Sequence, residues 1–207
     1  GGMPSDFGTA GLANYKYSIY CTYTTGGLPA KTCGNKEVYS LTSTTANRRA
    51  QIITFSEAGT IESISIYHNG GSGQVMLGVY ADADGSPGPR LGVTLPATVN
   101  STEGWQTISL ANPVAVNSGQ RVWLSWVFEH NPGIRYIASP PARAESSSLW
   151  SGGMPSDFGT AGLANYKYSV YCTYTTGGLI ANTAGNTDVY SSVSTQNYRR
   201  AIPVIFS

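Results

Sequence analysis

The sequence predicts an all-β protein, an antiparallel β-sandwich, on three observations. Where apolar residues are regular they recur with a period of two, the signature of strands with one buried face. Turn chemistry rich in Gly, Pro, Asn and Asp interrupts the chain about every 8 to 12 residues. No segment of ten or more residues carries an amphipathic helical pattern.

Taken in order, residues 14–24 alternate Tyr15, Tyr17, Ile19, Cys21 and Tyr23 with Lys16, Ser18, Tyr20 and Thr22, which predicts a half-buried strand. Residues 49–55 and the similar 200–206 are β-prone, although Pro203 would interrupt a central strand. The runs 61–67 and 74–80 flank HNGGSG and predict a hairpin, with Ile64 and Ile66 facing Val75, Leu77 and Val79 across the core. Ile108 and Leu110 point inward from 105–110. In 121–128, Val122, Leu124, Trp126 and Phe128 alternate with Trp123, Ser125 and Val127; with both faces apolar, this is a central strand. A Pro-Gly turn leads to a strand at 134–137, and 139–165, with little periodicity, predicts an extended loop crossing the end of the sandwich. Eight or so strands of this kind make a jelly roll.

The chain is organised around a duplication. Residues 1–56 return as 152–207, and the first 28 residues of the two copies differ only at Ile19 against Val170. Residues 57–151 occur once, so the chain holds one full unit of about 151 residues and a spare copy of its ends. The Gly-rich TTGGLPAKTCGNK and TTGGLIANTAGNT predict linkers. The expected organisation is a last strand of a preceding repeat at 1–24, a linker at 25–33, a complete module at 34–175, a linker at 176–186, and first strands of a following repeat at 187–207. A chain owning a spare strand that matches one of its own is suited to strand exchange with further copies of itself. Tyr15, Tyr17, Ile19 and Tyr23, with their counterparts Tyr166, Tyr168, Val170 and Tyr174, are the residues expected on those assembly strands.

Charged residues make up 11% of the chain, against about 25% in an average globular protein, and the net charge is +1. Nothing there suggests nucleic acid as partner, and no apolar run is long enough to insert in a bilayer. A surface of hydroxyls and amides suits an extracellular or cell-surface location. Three cysteines fit that compartment: Cys33 would bond Cys172 if first and last strands are neighbours, or Cys21 otherwise, while buried free thiols are the alternative.

The order GVYADADGSPGPRL, WQTISL, NPVAVNSGQRVWLSW, KYSVYCTYT resembles a jelly-roll domain appended to many secreted bacterial and archaeal proteins, similar in outline to carbohydrate-binding modules. The resemblance spans about residues 38–175 and implies a sandwich that binds polysaccharide.

The acids are few and scattered, no nucleophile stands beside a base, and His68 and His130 fall in turns, so no enzyme is expected. Asp82 and Asp84 open like a calcium loop, with a plain Asp-Gly turn as the alternative; apart from a structural calcium there, no cofactor is expected. Glycan binding needs aromatic faces turned to solvent, and Trp105, Trp123, Trp150, Tyr80 and Tyr171, with its copy Tyr20, are the candidates. Two functions follow: a structural or adhesive repeat of a surface, matrix or filament protein, or a carbohydrate-binding module of a secreted glycan-degrading enzyme.

Overall fold

A computed structural model describes residues 17, 19–24, 30–176 and 181–185. They fall into two compact units, one formed by Leu28–Gly178 and the other by Gly1–Gly27 with Leu179–Ser207. The strands are β1 (Tyr20–Thr24), β2 (Ala30–Gly34), β3 (Leu41–Ser43), β4 (Arg49–Thr54), β5 (Gly59–His68), β6 (Gln74–Ala83), β7 (Ser86–Val93) and β8 (Ala97–Thr98). They continue with β9 (Gly104–Val116), β10 (Arg121–Phe128), β11 (Ile134–Ile137), β12 (Arg143–Glu145), β13 (Gly162–Ala164), β14 (Lys167–Tyr168), β15 (Val170–Thr176) and β16 (Ala181–Gly185).

The larger unit is an antiparallel sandwich. One sheet runs β2-β15-β5-β9, with β11, β14 and β3 continuing it beside the end of β5; the other runs β13-β12-β4-β10-β6-β7, with β8 on β6. Counted along the chain, β2, β4, β5, β6, β7, β9, β10 and β15 place first, eighth, third and sixth in one sheet and second, seventh, fourth and fifth in the other. That is the strand order of a jelly roll. A strand sits where Gly-rich composition suggested a linker: β2 begins at Ala30, inside 25–33, and β16 lies within 176–186.

Alternation decides which side chains fill the space between the sheets. Ile61, Ile64 and Ile66 from β5, Val75, Leu77 and Val79 from β6, Val122, Leu124, Trp126 and Phe128 from β10, and Val170, Cys172 and Tyr174 from β15 form one buried cluster. Each large aliphatic side chain placed there contributes about 1.5–3 kcal/mol. The predicted phases hold, but β5 and β6 do not pair as a hairpin. They lie in opposite sheets, and HNGGSG carries the chain across the sandwich.

The opposite face of β10 is buried as well. Trp123 and Val127 join Ala50, Tyr80, Ala144, Met154 and Phe158 in a second cluster on the outside of the sheet. The segment after β12 makes this cluster, so it does not cross the end of the sandwich but lies over a sheet face. Arg48 ties it down: its guanidinium donates to Gly153 O at 3.0 Å and Phe158 O at 2.8 Å and stacks on the Phe158 ring at 4.8 Å. Backbone bonds from Arg90 N–H to Ser156 O and from Phe158 N–H to Gly88 O join the segment to β7.

His68, expected in a solvated turn, is fully buried. It ends β5 in phase with Ile64 and Ile66. Its Nδ1 accepts from Gly70 N–H at 3.1 Å, so Nε2 carries the proton and donates to Gln106 Oε1 at 2.9 Å. Burial pulls the imidazole below its ordinary range, with the Gln106 bond opposing. The folded state thus refuses a proton that the unfolded chain accepts below pH ~6.5. Stability should fall as pH drops through and below that value, with a slope contribution from His68 of up to about 1.4 kcal/mol per pH unit. Urea titrations of wild type and His68→Phe between pH 7 and 5 check this: the variant starts less stable but loses that part of the slope.

Candidate functional site

Two features are candidates for function: the pairing of first with last strands, and an aromatic patch on the outer face of the β2-β15-β5-β9 sheet.

In the larger unit β2 and β15 pair antiparallel, Gly34 opposite Tyr171, Cys33 opposite Cys172, and Ala30 opposite Thr175. Gly34 has φ +118°, and a Cβ there would stand 2.8 Å from Tyr171 Cα, so the close approach requires glycine. In the smaller unit β1 and β16 pair Tyr20 with Gly185, Cys21 with Ala184, and Thr24 with Ala181. Every partner in this second ladder is the 151-residue counterpart of a partner in the first. Of the predicted assembly residues, Tyr168, Val170 and Tyr174 are core side chains and Tyr166 packs against them. Ile19, the counterpart of wholly buried Val170, is 48% exposed. Tyr17 precedes β1 and Tyr23 lies within it. Tyr15 and the predicted strands at 187–207 lie outside the described residues. Cys33 and Cys172 are neighbours as the first-and-last-strand alternative required, and both are free thiols.

The aromatic patch arises from the phase opposite to the core. Tyr67 pairs with Trp105 across β5 and β9, and Tyr171 pairs with Ser65 across β15 and β5. The Trp105 ring meets Tyr67 edge-on at 5.5 Å and Tyr171 at 4.9 Å. All three are half-buried, so each keeps a face or edge toward solvent. Lys36 Nζ lies 6.0 Å from the Tyr171 ring centre. On the other flank Tyr67 O–H donates to Glu103 Oε1 at 3.1 Å, and Arg135 donates to the same oxygen at 2.7 Å. The Arg135 bond, then the Tyr67 bond, holds the Glu103 carboxyl below its ordinary range. Ser65 Oγ and Thr107 Oγ1 lie 2.7 Å apart, and Thr173, Ser63 and Ser109 form the next row of hydroxyls. Rings, hydroxyls and ionised groups at the edges can together hold a polyhydroxylated chain.

Of the predicted glycan candidates, the structure brings Trp105 and Tyr171 together, buries Trp123 and Tyr80 and places Trp150 elsewhere, while the Tyr20 side chain lies outside the described residues. Trp123 and Tyr80 are wholly buried. Their strand phase was read correctly, but the face they occupy is covered by the segment holding Met154 and Phe158. Trp123 Nε1 donates to Asp82 Oδ1 at 2.9 Å, and Tyr80 O–H donates to Pro155 O at 3.0 Å. Burial pushes the Tyr80 hydroxyl up to about 12. Trp150, in a 3-10 turn, packs against that same cluster, on the other sheet from Trp105. Tyr67 was missed, although its alternation with Ile64 and Ile66 marks it as outward-facing.

At Asp82 and Asp84 the structure shows the Asp-Gly turn that was the alternative to a calcium loop. Asp84 (φ +51°) and Gly85 (φ +86°) are the two-residue turn of the β6–β7 hairpin, a type I′ geometry. Asp82 is held by Arg121 and Trp123. Among the described residues no group of three or more His, Cys, Asp or Glu is placed to hold a metal ion.

No protein-family model and no curated protein matches this sequence. Nor is any helix among the described residues long and apolar enough to cross a membrane.

Proposed function

We propose that the chain is a non-catalytic structural or adhesive module of an extracellular tandem-repeat protein, joined to further copies of itself by exchange of its terminal strands. One observation carries this reading: the β1–β16 ladder repeats the β2–β15 ladder register for register. A first strand can therefore accept either last strand with nearly the same contacts, within a chain or between chains. Which partner it takes depends on effective concentration more than on bond energy. The low charge density removes the repulsion that would oppose end-to-end contact. Sedimentation of the full chain across about 1–200 μM should show head-to-tail oligomers that grow with concentration, and negative-stain images should show short fibres. A monomer throughout that range rejects the reading.

A second reading, polysaccharide binding by a module of a secreted glycan-degrading enzyme, draws on the Tyr67–Trp105–Tyr171 patch. Trp105→Ala should weaken retention on insoluble polysaccharides about tenfold or more, the ratio supplied by ~1.4 kcal/mol of lost ring contact. Wild-type protein that ignores every polysaccharide, or a variant that binds equally well, removes this reading.

A further inference from the structure

The two first-to-last strand ladders differ at one position that matters chemically. In the larger unit Cys33 stands opposite Cys172; at the matching register of the smaller unit Ala184 stands opposite Cys21.

Ladder parity sets the spacing of the cysteine pair. Asn35 N–H donates to Val170 O at 2.8 Å, so two residues along the ladder Cys33 and Cys172 are again a hydrogen-bonded pair. Such pairs have Cα atoms about 5.5 Å apart, inside the range a disulfide spans. Both side chains are on the core side of the sheet: Cys172 is wholly buried in the main cluster, and Cys33 packs against it half-buried. The Cys172 thiol approaches Cys33 O at 3.5 Å, and the Cys33 thiol donates to Thr54 O at 3.2 Å. A bond between them requires the Cys33 side chain to turn away from Thr54 toward Cys172.

We propose that Cys33 and Cys172 form a cross-strand disulfide that locks the first and last strands of the larger unit, while the Cys21–Ala184 position leaves the second ladder unlocked. The electrons go to a small-molecule disulfide such as oxidised glutathione. A Cys33 thiolate attacks it and expels one glutathione thiolate. A Cys172 thiolate then attacks the resulting mixed disulfide, the protein S–S bond forms, and the second glutathione leaves. Two thiol protons and two electrons are lost by the protein, and one glutathione disulfide becomes two glutathiones.

Burial raises both thiols in the folded unit, so closure belongs to folding or to transient opening of β2. Being the edge strand of its sheet, with Ala30, Lys31, Thr32 and Gly34 exposed, β2 is the element that can open. The bond would close a loop between residues 139 positions apart and tie the beginning of the sandwich to its end. Strand exchange, if it occurs as proposed above, is then confined to the unlocked ladder. That last clause rests on the assembly reading; the bond itself does not.

The test is to refold the full chain in a glutathione redox buffer, block free thiols with an alkylating agent, and map peptides without reduction. The expected result is the Cys33 peptide joined to the Cys172 peptide, separated by reducing agent, with Cys21 alkylated. A Cys21–Cys33 link, or alkylation of all three cysteines, overturns the proposal. A parallel preparation of Ala184→Cys distinguishes the two ideas. It should retain the Cys33–Cys172 link and give a covalent ladder of oligomers on a non-reducing gel. A cross-linked monomer that retains the Cys33–Cys172 link rejects exchange and leaves the lock standing; a ladder lacking that link rejects the lock and leaves exchange standing.

Discussion

Trp123→Ala will lower the free energy of unfolding by about 3–5 kcal/mol, the range for truncating a large buried aromatic. The side chain has no exposed surface and stands at the centre of the outer cluster, on the middle strand of its sheet. Removing it opens a cavity beneath Met154 and Phe158 and deprives Asp82 of the indole N–H. Asp82 feels burial first, which by itself would raise its carboxyl, but the Arg121 and Trp123 bonds outweigh that and hold it below its ordinary range. Trp123→Phe keeps most of the volume and loses only the hydrogen bond, so it should cost about 1–2 kcal/mol. Urea denaturation of the three proteins checks both values. A loss under 1 kcal/mol for the alanine variant would mean that the outer cluster does not stabilise the fold.

Arg48→Ala should cost about 3 kcal/mol, by a different route. Arg48 is 3% exposed, and its two guanidinium bonds go to main-chain oxygens of the segment that roofs the sheet. Without it Gly153 O and Phe158 O lose their donor and Phe158 loses the cation stacked on its ring. Lysine offers a single point of charge and cannot span both carbonyls, so Arg48→Lys should recover less than half of the loss. For a domain of this size the alanine variant should melt about 6–12 °C lower. The same change should open a protease site near residues 150–160 before global unfolding, visible as a nick under native conditions. A variant that melts lower with no new cleavage would place the loss elsewhere than in the roof.

These two residues also mark where the sequence was and was not readable. The alternation in 121–128 put Trp123 on the face opposite Leu124 and Trp126, and it is there. What alternation does not carry is whether a second layer covers that face. Here the cover comes from isolated residues, Met154 and Phe158, in a stretch with no period of its own, held by an arginine about a hundred positions earlier. Hence the aromatic residues that alternation turns away from the core divide: Trp105 and Tyr171 are half-buried on one sheet, whereas Trp123 and Tyr80 are covered on the other. His68 was readable in principle, because it continues the phase of Ile64 and Ile66, but the Asn-Gly-Gly that follows drew it into the turn. The first strand was hidden for a compositional reason. AKTCG is an edge strand with mostly exposed side chains and needs neither alternation nor branched residues to hold its place. Nor does periodicity say whether the next strand pairs with its predecessor or crosses to the facing sheet, which is why HNGGSG looked like a hairpin turn.

The side-by-side placing of the first and last strands has a mechanical consequence. Because β2 starts at Ala30, opposite Thr175 near the end of β15, a pull on the two ends of the module loads their shared ladder from one tip. Loaded that way, the strands peel apart pair by pair, as a zip does, instead of resisting in shear all at once. Three pairs would give way, Ala30–Thr175, Lys31–Tyr174 and Thr32–Thr173, before the tear reached Cys33 and Cys172, where a sulfur bridge would stop it.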